Sequence, residues 1–276
     1  MADDLLIAQR FPRSSRYHPD WIRSGVSGGA NSLWLAEWLT EDLPLRAGMR
    51  VLDLGCGRGA SSVFLHEEFG VQVWAADLWF SPDERARRFA DAGVADAVFP
   101  VRADARALPF PAGFFDAVVS LDSFFYYGTD DLYLNYLARF LRPDGLIGIA
   151  GAGLTRELDV EVPEHLRQWW EPSLCCLHSA KWWRRHWQRS GIVDVELADT
   201  LPEGWRFWLD WQRTVAPDNQ VEIDALSADQ GGTLGYVRTI ARRRTDREPD
   251  DPIATIPAEY IRQPLYRSVL DEGPTP

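Results

Sequence analysis

Three acids and a run of glycines carry the chemistry that this sequence can be read for. In VLDLGCGRGASS, Val51 to Ser62, an apolar run is followed by Gly55, Gly57 and Gly59 at alternate positions. Glycines there let a ligand approach the backbone where a strand turns into a helix. A dinucleotide site needs the spacing G-x-G-x-x-G with a helix N-terminus facing the pyrophosphate. Here the spacing is G-x-G-x-G, and Asp53 stands two residues ahead of the first glycine, where a carboxylate repels pyrophosphate and suits a cationic ligand. No Lys-Ser/Thr pair follows the glycines, so a P-loop is excluded as well. Asp77 lies 24 residues beyond Asp53, at the end of a second apolar run. It can accept both hydrogens of a ribose 2',3'-diol, each charge-assisted bond contributing roughly 1.5 to 3 kcal/mol. Leu78 and Trp79 follow as an apolar wall for a purine, and Asp104, near the end of a third run, can accept from an adenine amino group. The ligand that fits is a nucleoside without phosphates.

Other residue types point to a second pocket. Phe124, Tyr126 and Tyr127 in SFFYYGTDD are either core or the wall of a substrate site. Trp169 and Trp170 are placed to enclose an apolar or aromatic molecule, or a cationic amine through their ring quadrupoles. His178 precedes a helix that Ser179 can cap, and imidazole titrates near neutrality, so it is a candidate general base beside the plainer reading of a backbone-bonding histidine. Trp182, Trp183 and Trp187 read as packing, and RRHWQR (184–189) as a solvated helix face. No H-E-x-x-H or C-x-x-C spacing occurs, and no metal is expected.

The elements that must hold these residues alternate. Runs at 50–54, 71–77, 97–104, 115–122 and 146–153 read as buried strands. Helical spacing fills 60–70, 81–93 and 129–145, with stops at Gly70, Gly93 and the Pro143–Gly145 turn. This is the pattern of a parallel sheet covered by helices on both faces. Two late strands at 192–199 and 232–244, separated by an aromatic helix at 203–216, suit an antiparallel pair at one sheet edge. The resulting division is a helical segment at 1–48, a ligand-binding core at 49–154, a lid over the acceptor at 155–178, the rest of the core at 179–245 and a peripheral tail at 246–276.

Composition bounds the partners. The chain has 276 residues, 46% hydrophobic, enough for one large core without disulfides. A net charge of -12 repels nucleic acid and anionic membrane. Three cysteines make no disulfide framework, and neither a signal-like start nor an 18-residue apolar run is present, so a reducing, cytoplasmic setting is expected.

Taken in order, VLDLGCGRG, AADLW, ADARALPFPAGFFDAVVSLDSF and LARFLRPDGLIGIA resemble the strand motifs of class I S-adenosylmethionine-dependent methyltransferases over about residues 30–155. SGVSGGANSLWLAEWL (24–39) is similar to the entry helix of small-molecule members. The resemblance implies a doubly wound, mostly parallel, seven-stranded Rossmann-like α/β fold. It implies S-adenosylmethionine as cofactor, held by Asp53, Gly55, Cys56, Gly57, Asp77, Leu78, Asp104, Ala105 and Leu121. Asp122 is then either a cap or a contact to the methionine moiety or acceptor. The expected reaction is methyl transfer to an O or N nucleophile of a small apolar or aromatic metabolite. C-methylation, cyclopropane-synthase-like chemistry and a non-catalytic cofactor-binding module stand as alternatives. A nicotinamide oxidoreductase is excluded by the glycine spacing.

Overall fold

The short apolar runs RVLDL and QVWAAD form β1 (Arg50–Leu54) and β2 (Gln72–Asp77) in the computed structural model, paired in parallel from Arg50 opposite Gln72 to Leu54 opposite Ala76. The structure describes residues 6–26, 29–159 and 161–249. β3 (Val98–Arg102), β4 (Phe115–Leu121), β5 (Leu141–Leu154), β6 (Val193–Thr200) and β7 (Leu234–Arg243) complete a sheet of order β3-β2-β1-β4-β5-β7-β6. The first five strands are parallel, and β7 runs antiparallel to both β5 and β6. The seven-stranded, mostly parallel α/β fold expected from the alternation is therefore the one observed, with its late antiparallel pair at the edge.

Strand order reverses between β1 and β4, because the chain moves outward through β2 and β3 and then returns to the other side of β1. Such a switch point opens a crevice at the carboxyl ends of the strands. α1 (Pro19–Gly25) and α2 (Ser32–Thr40) precede the sheet; α3 (Ala60–Phe69), α4 (Pro82–Asp91) and α5 (Tyr133–Ala138) connect its parallel part. Leu39 of α2 and Leu43 in the turn after it press onto β5 at Gly148, where an added Cβ would come within 2.9 Å of Leu43. α6 (Ala180–Ser190) is capped by Ser179, whose hydroxyl accepts from the Trp182 N–H at 3.2 Å, and it ends at left-handed Gly191. α7 (Gly204–Val215) and α8 (Gln220–Asp229) lie between β6 and β7.

Two expectations need correction. The Pro143–Gly145 turn lies inside β5: Phe115 pairs with Leu141, the register then slips, and Ala117 pairs with Leu146. Asp144 takes the slip at φ 66°. α5 is correspondingly short, because Leu141 is drawn into the sheet. α8 was not anticipated, since its sequence carries no apolar stripe distinct from the preceding loop. The described residues between β5 and α6 include short 3-10 turns at Glu164–Leu166 and Pro172–Cys176. Most of the expected tail, 250–276, lies outside the described residues. No helix among the described residues is long and apolar enough to cross a membrane.

Candidate functional site

The glycine turn between β1 and α3 is held from below. Gly55 and Cys56 both donate to the Ala76 carbonyl, at 2.8 and 3.2 Å. Two glycines are needed for more than the turn. Gly55, at φ 76°, would drive a Cβ to 2.0 Å from Ser123 Oγ, and Gly59, at φ 89°, would drive one to 2.6 Å from the Phe89 ring. The alternate spacing thus lets β4's loop and α4 close on the turn.

Asp77 ties this turn to the end of β2. Its Oδ2 accepts from the Gly57 N–H at 3.0 Å, and its Oδ1 from the Trp79 and Phe80 N–H groups at 2.8 and 3.0 Å. A carboxylate offers about four lone-pair sites, so one strong site is left for a ligand rather than the two that a diol would use. Beneath it lies Arg85, 1% exposed, a residue that sequence reading missed. Its guanidinium donates to the Ala75 and Val101 carbonyls at 2.9 and 3.0 Å and lies 3.0 Å from Cys56 Sγ. Nothing in SPDERARRFADAG distinguishes this arginine from the solvated ones beside it.

A cavity of about 530 Å³ opens above the turn, at the crevice of the strand-order switch. Of the residues expected to bind, Gly55, Gly57, Asp77, Leu78, Asp104, Ala105, Tyr126 and Tyr127 line it, together with Asp122 and Trp79. Tyr127 Oη lies 3.2 Å from both Ser120 Oγ and Ser123 Oγ, and burial pushes its phenol up to about 12. Asp122, at φ 52°, accepts from the Ala30 N–H at 2.7 Å and the Ala152 N–H at 3.0 Å, and burial raises its pKa.

The other expected residues fall elsewhere. Asp53 is fully buried below the turn, where Oδ2 accepts from Ser61 and Ser62 at 2.7 Å each and Oδ1 has no partner. Burial pushes its carboxyl up to about 6, against the lowering effect of those two serines. Cys56 and Leu121 are buried at the cavity's edge without lining it. Phe124 is core, its ring in edge contact with Trp183 and Trp187. Trp169 and Trp170 are half-buried away from the cavity, Trp169 edge-on to Trp208. His178 stacks on Trp182 with ring centroids 3.7 Å apart, and its Nδ1 lies 3.0 Å from Glu157 Oε2; it does not face the cavity.

α7 and α8 carry a polar and aromatic cluster outside the cavity lining that sequence reading passed over. Trp208 Nε1 donates to Glu222 Oε1 at 2.9 Å, and the Trp208 ring stacks on Tyr236, with centroids 5.6 Å apart. Asn219 Nδ2 donates to Glu222 Oε2 at 2.9 Å. The Asn219-x-x-Glu222 spacing at the start of α8, a helix-start pattern, is the signal that could have found them.

A doubly wound sheet with a glycine turn, a β2-terminal acid and a cavity at the switch point defines the class of Rossmann-like nucleoside-binding proteins. Comparison with known proteins narrows this. Residues 51–145 match the family model described as a methyltransferase domain. The chain is 34% identical over 126 residues to the methyltransferase GfsG of Streptomyces halstedii, covering 45% of each chain. It is 36% identical over 134 residues to 27-O-demethylrifamycin SV methyltransferase of Amycolatopsis mediterranei, covering 48% of this chain and 49% of that one. The match thus spans about half the length of these two relatives. Geranyl diphosphate C-methyltransferase from Streptomyces coelicolor, solved with Mg2+, geranyl diphosphate and S-adenosyl-L-homocysteine, superposes with a TM-score of 0.61 at 22% identity, covering 75% of this chain and 77% of that one. Residues 51–145 are thus similar to the methyltransferase-domain family, and the chain has the Rossmann-like fold of class I S-adenosylmethionine-dependent methyltransferases.

Proposed function

We propose that this protein transfers a methyl group from S-adenosylmethionine to an O or N nucleophile of a small apolar or aromatic molecule. The observation that carries the reading is the cavity at the switch point, which joins the glycine turn, Asp77, Asp104 and an exposed apolar edge of Leu78 and Trp79 in one crevice. These residues suit a phosphate-free nucleoside: Asp77 keeps one strong acceptor site for the ribose, and Gly55 and Gly57 leave backbone open to the methionine portion. When bound, the cofactor supplies an electrophilic methyl group. The chain's own residues then orient and desolvate, and good positioning contributes at most roughly 7 to 11 kcal/mol.

Residues 155–178 act in this reading as a cover on the acceptor side, since they follow β5 directly at the carboxyl edge of the sheet. Their anchoring supports it. His165 Nε2 lies 2.8 Å from Asp229 Oδ1 in α8, and Glu157 accepts from the Ser179 N–H at 2.6 Å. His178, turned onto Trp182, is a clamp in that cover rather than a base.

The test is titration calorimetry with S-adenosylhomocysteine, followed by transfer of labelled methyl from S-adenosylmethionine into a cell-extract fraction. Saturable binding and a labelled small-molecule product are expected. Binding of NADH in its place would refute the reading, and binding without any transfer would leave the non-catalytic module.

A further inference from the structure

A second cavity, of about 540 Å³, lies between α1 and α4, outside the crevice at the switch point. Four arginines line it, Arg58 from the glycine turn and Arg85, Arg87 and Arg88 from α4, together with Trp21 and Phe80. The chain has 41 acidic residues against 29 basic ones, so arginines without acidic partners run against its composition. Elsewhere the pairing is made, Arg10 with Glu41, Arg16 with Glu68 and Arg242 with Glu196. Here none of the four forms an ion pair with a described residue, although Glu84 and Asp91 stand on the same wall.

Rings hold two of these guanidiniums in place. Arg58 lies over Phe80 with its Cζ 5.2 Å from the ring centroid, and Arg88 lies over Trp21 at 4.7 Å. A ring takes the face of a guanidinium and leaves its edge, which carries the N–H donors, to an anion. Arg88 spends part of its edge on the Trp21 carbonyl at 2.7 Å and on Ser24 Oγ at 3.3 Å, which ties α1 to α4. Arg85 spends its terminal nitrogens on Cys56 Sγ and on the Ala75, Phe80 and Val101 carbonyls. The Nε of Arg85 and that of Arg88 have no partner at all. Buried donors left unpaired are costly, so this wall is short of acceptors. The like charges also meet: burial lowers the pKa of Arg88, and the charge on Arg58 lowers it further. Arg58 and Arg87 are exposed, so the cavity is open to solvent on their side.

We propose that this cavity is an oxyanion site that takes the terminal phosphate of a small phosphomonoester. Such a phosphate carries nearly two negative charges and three strong acceptor oxygens, which suits guanidiniums arriving from both the glycine turn and α4. A space of about 540 Å³ falls within the roughly 300 to 1,000 Å³ of small-ligand pockets and exceeds what a bare ion fills, so an organic body accompanies the phosphate beside Trp21 and Phe80. A pyrophosphate closed by a nucleoside at each end, as in NADH, has no terminal phosphoryl group to place among the arginines. The site goes beyond methyl transfer and does not depend on it. Phe80 lines both cavities and Arg58 follows Gly57, so the two sites share a wall while taking different ligands.

The experiment is titration calorimetry with phenyl phosphate and with inorganic phosphate, each into protein with and without saturating S-adenosylhomocysteine. Phenyl phosphate is expected to bind in both states, and about tenfold or more tightly than the inorganic ion. Arg58→Gln should weaken phenyl phosphate by about tenfold or more, the loss of a charge-assisted contact. Should that variant not fold, Arg87→Gln, at an exposed position of α4, carries the same comparison. No saturable binding of phenyl phosphate, its displacement by S-adenosylhomocysteine, or an affinity that survives the arginine replacement overturns the site. Equal binding of the inorganic ion overturns the phosphomonoester as its ligand. Absence of S-adenosylhomocysteine binding is a different failure: it removes the methyltransferase reading alone, and the arginine replacement still decides the oxyanion site.

Discussion

In the proposed reading Asp77 does two jobs with one carboxylate, and the structure changes what its removal should do. Read from sequence it is a ligand residue at a strand end, replaceable without harm to the fold. Its three backbone partners make it also the staple between the glycine turn and residues 79–80. Asp77→Ala should therefore weaken S-adenosylhomocysteine binding by about 1.5 to 3 kcal/mol and also lower stability by about 1 to 3 kcal/mol, read by calorimetry and denaturant unfolding. Full affinity in a folded variant would take Asp77 out of the site. Asp53 gives a prediction in pH. Its folded carboxyl keeps its proton up to about 6, where an ordinary aspartate releases it near 3.8. The folded state binds that proton more tightly, so the contribution is most favourable below about pH 4 and is lost as pH rises through 6. About two pKa units correspond to about 3 kcal/mol. Relative to Asp53→Asn, the unaltered protein should thus lose about 2 kcal/mol of stability between pH 4.5 and 7.5, measured by denaturant unfolding at each pH. Parallel curves would show that Asp53 does not titrate in this window. Sequence placed both acids on the right strands because strand-end position follows from the apolar runs. It could not tell a cavity-lining carboxylate from one turned down onto Ser61 and Ser62, since that depends on which face of β1 α3 covers.

Among elements, the segment after β5 separates what was legible from what was not. Its position and its aromatic residues were read from the sequence; the direction of each ring was not, because short 3-10 turns have no periodicity from which a facing side can be derived. His178 is the case in point. Stacked on Trp182 and joined to Glu157, it ties residue 157 to the start of α6. His178→Ala should then reduce methyl transfer by less than tenfold, against the roughly 10² to 10⁴ that loss of a general base brings. A loss of that larger size, accompanied by a flattened pH–rate profile near neutrality, would restore the histidine as the base. The Pro143–Gly145 stretch failed in a different way. Local turn chemistry was read correctly, but the pairing of Phe115 with Leu141 carries the strand through it. Tertiary pairing overrode a sound local signal.

At the scale of the whole molecule, the acidic balance and the three aspartates that line the cavity lead to one expectation about ligands. S-adenosylhomocysteine at about a hundred times its Kd should stabilise the fold by about 2.7 kcal/mol, seen as a raised Tm, while NADH at the same concentration should leave the Tm where it was. The reverse pattern would mean that the alternate glycines tolerate a pyrophosphate after all. The order of the sheet has a consequence for how the chain is made. β7 is the last strand synthesised among the described residues, yet it lies inside the sheet, paired with β5 on one side and β6 on the other. Until residues 234–243 leave the ribosome, β5 presents an open edge and β6 has no neighbour to join. Nascent chains that stop short of Leu234 therefore carry an unpaired, apolar strand edge, the feature that invites chain-to-chain pairing and chaperone capture. Completion of the described sheet is deferred to β7, and the pairing of both β5 and β6 is assembled only at that moment.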